Sequence, residues 1–239
     1  MIIPKADKLS NNQLQEIESI VGEFDCTILE IQGHNQCVYA ILGDETHAVM
    51  FKRIAGLPYI RKVDAIESPY KLMDRRSALS NHQVRIGHVN VGEGRPFIIG
   101  GPCTIDPNSP QLFIETAHAL KEAGVDALRG GVWKPRTNPY SYQGDNKAID
   151  IILKAREETG LPIDIEVMDS AQLKIALDSN VDILQVGTRN ALNYSLLKEI
   201  GETSAGTNSS ILLKRGRHVA SPDEFIAAAE YLVAAGNPN

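Results

Sequence analysis

LRGGVWKPRTNPYSYQG, residues 128–144, is the stretch on which the reading turns. It places Arg129, Lys134 and Arg136 within eight residues, with Gly130 and Gly131 after the first cation. Pro135 and Pro139 stiffen the exit, and the short apolar run from Val125 to Leu128 leads in as a buried strand. The cations therefore fall where a strand gives way to a loop, the end at which α/β proteins present their chemistry. Forked guanidiniums and a lysine point charge suit phosphate and carboxylate groups. A merely solvated basic turn would have no need of Trp133 or of paired glycines.

Around this stretch the chain runs to 239 residues with 43% apolar content, enough for one large domain or a small one plus a medium one. No apolar run approaches the ~20 residues of a membrane span, and the start MIIPKADKLSNNQLQEI lacks a secretory head. Cys26, Cys37 and Cys103 are odd in number and widely spaced, which fits a reducing cytoplasm rather than a disulfide framework. A net charge of −6 argues against general nucleic-acid binding, so an anionic ligand must be held by a local basic site.

Downstream of Arg95 the pattern is strand then helix, repeated. The expected strands are Phe97–Gly100, Val125–Leu128, Ile163–Val167, Ile183–Val186 and Ser210–Leu213. Helices are expected over Pro110–Glu122 with Ser109 as cap, Lys147–Thr159, after Ser170, near Tyr194–Ile200, and from a capping box at Ser221 to Glu224. Five βα units with short loops predict parallel strands. Upstream, Ser10 and Gln13 resemble a capping box opening one amphipathic helix to about Gly22. Strands are expected at Met1–Pro4, Cys26–Ile31 and Cys37–Leu42 around a turn at GHN, then at Ala48–Phe51. A short helix near Ile54–Ile60 and a strand near Val63–Ile66 follow. The β-α-β-β-α-β order fits a small ferredoxin-like domain of about 70 residues. Residues 71–96 then read as a linker and hairpin, with VRIGHVNV (84–91) suited to plug the bottom of a barrel. His34, His47, His82 and His88 read as surface or structural residues, and Cys26 and Cys37 as small core residues.

RGGVWKPRTNPYSYQG closely resembles the RGG-x-x-KPRT-x-P-Y-x-x-QG signature of 3-deoxy-D-arabino-heptulosonate 7-phosphate (DAHP) synthases. Further signatures follow in order: GPCTID at 101–106, IEVMD at 165–169, ILQVGTRN at 183–190 and LLKRG at 212–216. The resemblance is to the branch with a small N-terminal domain before its barrel. It implies a TIM-type (β/α)8 barrel over 97–239, incomplete at five units, after a regulatory or assembly domain at 1–70. The barrel implied would lack three βα units, on the order of 90 residues, after Gly236-Asn237. The family's later glutamate-arginine motif and its last three metal ligands (His, Glu and Asp) have no counterpart here. Five strands leave two parallel edges, so a homo-oligomer is expected.

The implied reaction joins phosphoenolpyruvate to erythrose 4-phosphate, giving DAHP and phosphate at the head of the shikimate route to aromatic amino acids. By position in the motifs, Arg129 and Lys134 would meet phosphoenolpyruvate, with Lys134 also the candidate for proton transfer. Pro135, Arg136 and Thr137 would line the erythrose 4-phosphate path, and Arg189 would bind phosphate near Gln185. Lys214 would contact phosphoenolpyruvate, while Arg215 would face a neighbouring loop. Glu166 would assist acid/base chemistry or pair with Lys134 or Arg189. Cys103 would be one ligand of a divalent metal such as Mn, Fe or Zn. Asp106 and Asp169 read as loop or cap residues, and His218 stands outside the motifs. An aromatic amino acid is the possible effector of the N-terminal domain. Two alternatives stand beside this reading: a non-catalytic anion-binding or regulatory homologue, and one piece of a split enzyme. The sister reaction on arabinose 5-phosphate is disfavoured by KPRTNP, because that family has a lysine loop resembling KANRS.

Overall fold

The computed structural model describes residues 1–32, 36–43, 47–64, 70–75, 77, 79, 81–219 and 221–239. The GHN turn with His34, residues 65 and 66 of the expected strand, and parts of the linker lie outside them. The chain forms two compact units, Met1–His82 with Ser221–Pro238, and Gln83–Ala220 with Asn239.

The first unit contains β1 (Ile2–Pro4), α1 (Asn11–Gly22), β2 (Thr27–Gln32), β3 (Cys37–Leu42), α2 (Ala48–Ala55) and β4 (Ile60–Val63). Its sheet runs β2-β3-β1-β4 with antiparallel pairs throughout. The capping box forms: the Ser10 hydroxyl accepts from the Gln13 N–H while the Gln13 side chain accepts from the Ser10 N–H. Ala48–Phe51 is a correction, since it opens helix α2 rather than a strand. Met50 and Ile54, four residues apart, are both fully buried, whereas Lys52 and Arg53 are exposed. That is helical spacing, and four apolar-rich residues were too short a window to reveal it.

Strand β3 is apolar on both faces, so its sheet needs cover on both. Tyr39 and Ile41 pack on one side with Ile2, Ile17, Met50 and Ile54. Val38 and Ala40 pack on the other with Met1, Ile3, Leu72 and Val233. Val233 belongs to the helix Pro222–Ala234, expected from the sequence as the fifth barrel helix, which clusters here with the first unit. Its Glu230 carboxylate accepts from the backbone N–H groups of Lys71, Leu72 and Met73 at 2.8–3.0 Å, fastening it to the chain after the sheet.

The second unit opens with a two-residue hairpin, β5 (Arg85–Ile86) and β6 (Val89–Asn90), turning at Gly87 with φ +57°. Five strands follow: β7 (Ile99–Gly100), β8 (Ala127–Arg129), β9 (Ile163–Val167), β10 (Ile183–Val186) and β11 (Ser210–Leu213). They pair in sequence order and all in parallel, as the βα repeat predicts. Between them run α3 (Pro110–Glu122), α4 (Ala148–Thr159), α5 (Ser170–Asp178) and α6 (Tyr194–Ser204), which makes the last helix α7 (Pro222–Ala234). Asp169 caps α5 by accepting from the Gln172 N–H. Ser109 holds the cap position of α3 but its side chain makes no cap bond.

On the face of the parallel sheet opposite α3 to α6, Ile99, Ala127, Ile183 and Leu212 meet Val84 and Ile86 of the hairpin. This apolar layer forms the floor beneath the strand C-termini. Along the edge of β11, the Ile211 N–H donates to the Asn239 carbonyl at 3.0 Å.

Candidate functional site

The strand exits are held together by glycines that let two loops touch. Gly101, after β7, has φ +137°, and a Cβ there would lie 2.0 Å from the Arg129 carbonyl oxygen. A Cβ on Gly131 would lie 2.0 Å from the Cys103 carbonyl oxygen, and the Ile105 N–H donates to Gly131 across the same gap at 2.9 Å. The paired glycines of the RGG stretch thus bring Cys103 beside Arg129. One Arg129 Nη donates to the Gly101 carbonyl at 3.0 Å and lies 3.2 Å from the Cys103 Sγ. Partial desolvation opposes ionisation of that thiol, but the Arg129 and Lys134 charges outweigh it and hold the thiol below its ordinary range.

Past Gly131 the loop doubles back on itself. Trp133 bridges Gly144, the Lys134 N–H donates to Gln143, and the buried Trp133 ring donates its Nε1–H to Asn146 at 2.7 Å. Lys134 is therefore presented from a fixed base. Arg136 Nε donates to the Tyr142 carbonyl at 3.0 Å, and its Nη to the Thr104 hydroxyl at 3.2 Å. Arg189, on the 3₁₀ turn Thr188–Asn190, donates to the Pro135 carbonyl and to the Thr137 hydroxyl, clamping the KPRT segment to the exit of β10.

On β9 the half-buried Glu166 accepts from the buried Gln185 amide at 3.3 Å. This corrects the expected pairing with Lys134 or Arg189: Gln185 is in register with Glu166 and reaches it first. A Cβ on Gly187 would lie 1.8 Å from Glu166 Oε1, so the glycine leaves room for that carboxylate. Lys214 continues the β11 ladder by donating its N–H to Val186, and its side chain is exposed together with Arg215 and His218.

The exits of β7, β8, β10 and β11 thus present Cys103, Arg129, Lys134, Arg136, Arg189 and Lys214, with Glu166 at the exit of β9. Cations dominate, and the arrangement can hold an anion carrying more than one negative charge. Two residues were not singled out by the motifs, Thr104 and Asp164. Thr104 lies inside GPCTID and orients Arg136. Asp164 has a sequence signal, since it alternates with Glu166 along a strand otherwise built of Ile and Val. A separate cavity of about 590 Å³ at the other ends of the strands is lined by Arg156 and Asp182, which pair with each other.

This is an α/β protein of the parallel-sheet class with a cluster of cationic side chains at the strand C-termini. The chain belongs to the DAHP synthetase I family, whose sequence model matches residues 74–239. It is similar to the phospho-2-dehydro-3-deoxyheptonate aldolase of Thermotoga maritima, 32% identical over 239 residues that cover 99% of this chain and 68% of the relative. A 2-dehydro-3-deoxyphosphooctonate aldolase of Polaromonas naphthalenivorans is 27% identical over 143 residues, 56% of this chain and 48% of that one. The crystal structure of the Thermotoga maritima DAHP synthase superposes with a TM-score of 0.64 at 30% identity, covering 99% of this chain and 66% of that one. A truncated form of the Thermotoga maritima enzyme gives a TM-score of 0.58 at 32% identity over 71% of this chain and 59% of that one. The chain thus spans 68% of one curated relative's length and 48% of the other's.

The family is in general dependent on a divalent metal. Among the described residues no group of three or more His, Cys, Asp or Glu that could hold a metal ion stands together, and Cys103 is the thiolate donor at the strand exits. One thiolate does not make a metal site, so the described residues do not by themselves fit the metal. No helix among them is long and apolar enough to cross a membrane.

Proposed function

We propose that the chain carries the phosphoenolpyruvate-binding part of a DAHP synthase, the enzyme that condenses phosphoenolpyruvate with erythrose 4-phosphate to give DAHP and phosphate. The observation that carries this reading is the convergence of Arg129, Lys134, Arg136, Arg189 and Lys214 on one end of a parallel sheet. Two phosphates and a carboxylate must enter one pocket in this reaction, and clustered cations meet that requirement. Arg129, Lys134 and Lys214 hold the phosphate and carboxylate of phosphoenolpyruvate. Pro135, Arg136 and Thr137 line the path of the aldehyde, and Arg189 anchors that segment while facing phosphate. In the condensation, C3 of the enol forms a bond to the aldehyde carbon, water adds at C2, and the C2–O bond breaks as phosphate leaves. Lys134 delivers the proton that the aldehyde oxygen takes up, and Glu166, oriented by Gln185, assists proton transfer at the added water. Cys103 is this chain's contribution to a metal whose other ligands do not stand with it among the described residues.

The wider reading is a TIM-type barrel preceded by a ferredoxin-like domain, supported by the β2-β3-β1-β4 antiparallel order of the first unit. A cytoplasmic homo-oligomer with an aromatic amino acid effector completes it. The single-donor metal position favours one second reading, an anion-binding homologue or a piece of a split enzyme. Phosphate release from phosphoenolpyruvate with erythrose 4-phosphate and Mn²⁺ separates the two. Turnover by the 239-residue chain, lost with EDTA and in Cys103→Ala, supports the enzyme. Folded protein with no rate above background supports the second reading, and restoration by a chain carrying the later barrel units identifies a split enzyme.

A further inference from the structure

Strand β9 reads Ile163-Asp164-Ile165-Glu166-Val167, and alternation puts its two carboxylates on one face. Asp164 stands in register with Arg129 on β8 and with Ile183 on β10, one step below Glu166 and Gln185. It shares the face of the sheet that carries the apolar cluster of Ala127, Ile183 and Leu212, level with Arg129 and below the strand exits. The residue is 1% exposed, and neither carboxylate oxygen has a hydrogen-bond partner among the described residues. A buried acid left without any donor is rare unless it is neutral or waits for a change of charge nearby. The charged groups that act on it are Arg129 on β8, Lys214 after β11 and Glu166 on its own strand. Its partner on β10, Ile183, carries no charge, and the floor is apolar. Burial pushes its pKa up to about 7, against the pull of Arg129 and Lys214 and with a push from Glu166.

We propose that Asp164 sets the charge of the anion this site accepts. As a neutral acid it leaves Arg129 and Lys214 free to face a doubly charged group. As a carboxylate it cancels one of those charges from beneath, so a bound dianion and an ionised Asp164 oppose each other. Binding a dianion therefore draws one proton from solvent onto Asp164, the only bond made being O–H. The inference rests on the anion-site reading and adds a specificity residue to it.

Calorimetric titration with sulfate, which remains a dianion across the range, isolates the protein's own titration. The full chain should bind sulfate about tenfold more weakly at about pH 8 than at about pH 6, taking up close to one proton per anion at the higher pH. Asp164→Asn and Asp164→Val should both bind equally at the two pH values, with circular dichroism reporting that each is folded; two variants guard against loss of fold in one. The Cys103 thiol also touches Arg129, so the pH effect must persist in Cys103→Ser. An effect that survives both Asp164 variants, or vanishes in Cys103→Ser, overturns the proposal while leaving the anion site standing. No sulfate binding by the folded parent chain at either pH overturns the anion site and this proposal with it.

Discussion

The antiparallel sheet of the first unit and the parallel sheet of the second treat their buried polar groups differently. In the antiparallel sheet, the Tyr39 hydroxyl accepts from the Leu9 N–H and the Cys37 thiol meets the Gln32 side chain at 2.7 Å. Beside it, Glu230 takes three backbone donors. Those polar atoms are consumed by structure. The parallel sheet instead holds Asp164 in its interior without a hydrogen-bond partner among the described residues, and gathers Arg129, Lys134, Arg136, Arg189 and Lys214 at one end. Satisfied polar groups hold a fold in one shape, whereas unsatisfied charge stores a response to a ligand or a proton. The contrast places architecture in the first sheet and chemistry in the second.

Removing an architectural side chain is the largest expected effect. Ile17→Ala empties a fully buried position of the first unit and should cost about 2–5 kcal/mol in urea unfolding. Sulfate affinity at fixed pH should not change if the second sheet carries the site alone. A parallel loss of affinity would break the contrast.

Asp164→Val should act in the opposite direction. The folded-state pKa of about 7 lies above the ordinary aspartate value of 3.8 that the unfolded chain would show, so the native state binds the proton more tightly. The stability linked to this group is fully present below 3.8 and is lost as pH rises through about 7. The valine variant should therefore be more stable than the parent above neutrality, by about 1–4 kcal/mol, with the gain shrinking as pH falls. Urea midpoints across that range check both the sign and the slope. A variant less stable at high pH would mean that the carboxylate has a partner after all.

The smallest effect sharpens the comparison within the cysteines. Cys103 is exposed with its thiol held below the ordinary range, while burial pushes the Cys37 thiol up. Iodoacetamide should label Cys103 first, with a half-ionisation point that moves upward in Arg129→Ala and in Lys134→Ala. Equal labelling of Cys37 and Cys103 in the native protein would contradict the electrostatics drawn for the strand exits.

The parallel sheet was legible because five short apolar runs alternate with capped amphipathic stretches, a pattern with few other solutions. The RGG and GPC glycines announced a close approach, which the 2.0 Å virtual contacts make concrete. Ala48–Phe51 reads as a strand because Val49, Met50 and Phe51 suit a strand as well as a helix, and only Ile54 resolves the period. The attachment of Pro222–Ala234 to the first unit was hidden for another reason. Caps and periodicity define a helix but not which sheet its apolar face covers, and β3 needed a second cover. Asp164 is hidden in the sequence because an acid alternating with isoleucines looks like the solvated face of a strand. In a parallel sheet closed by a hairpin, that face is the interior. The Glu166–Gln185 pair likewise depends on register, which spacing along the chain does not reveal.

The central claim is that cations at the strand exits form a phosphoenolpyruvate site, and direct titration of phosphoenolpyruvate into the 239-residue chain tests it. One saturable site is predicted, weakened about 10–100-fold in either Arg129→Ala or Lys134→Ala, since a hydrogen bond to a charged group contributes about 1.5–3 kcal/mol. Binding that is absent, or equally tight in both folded variants, would contradict it.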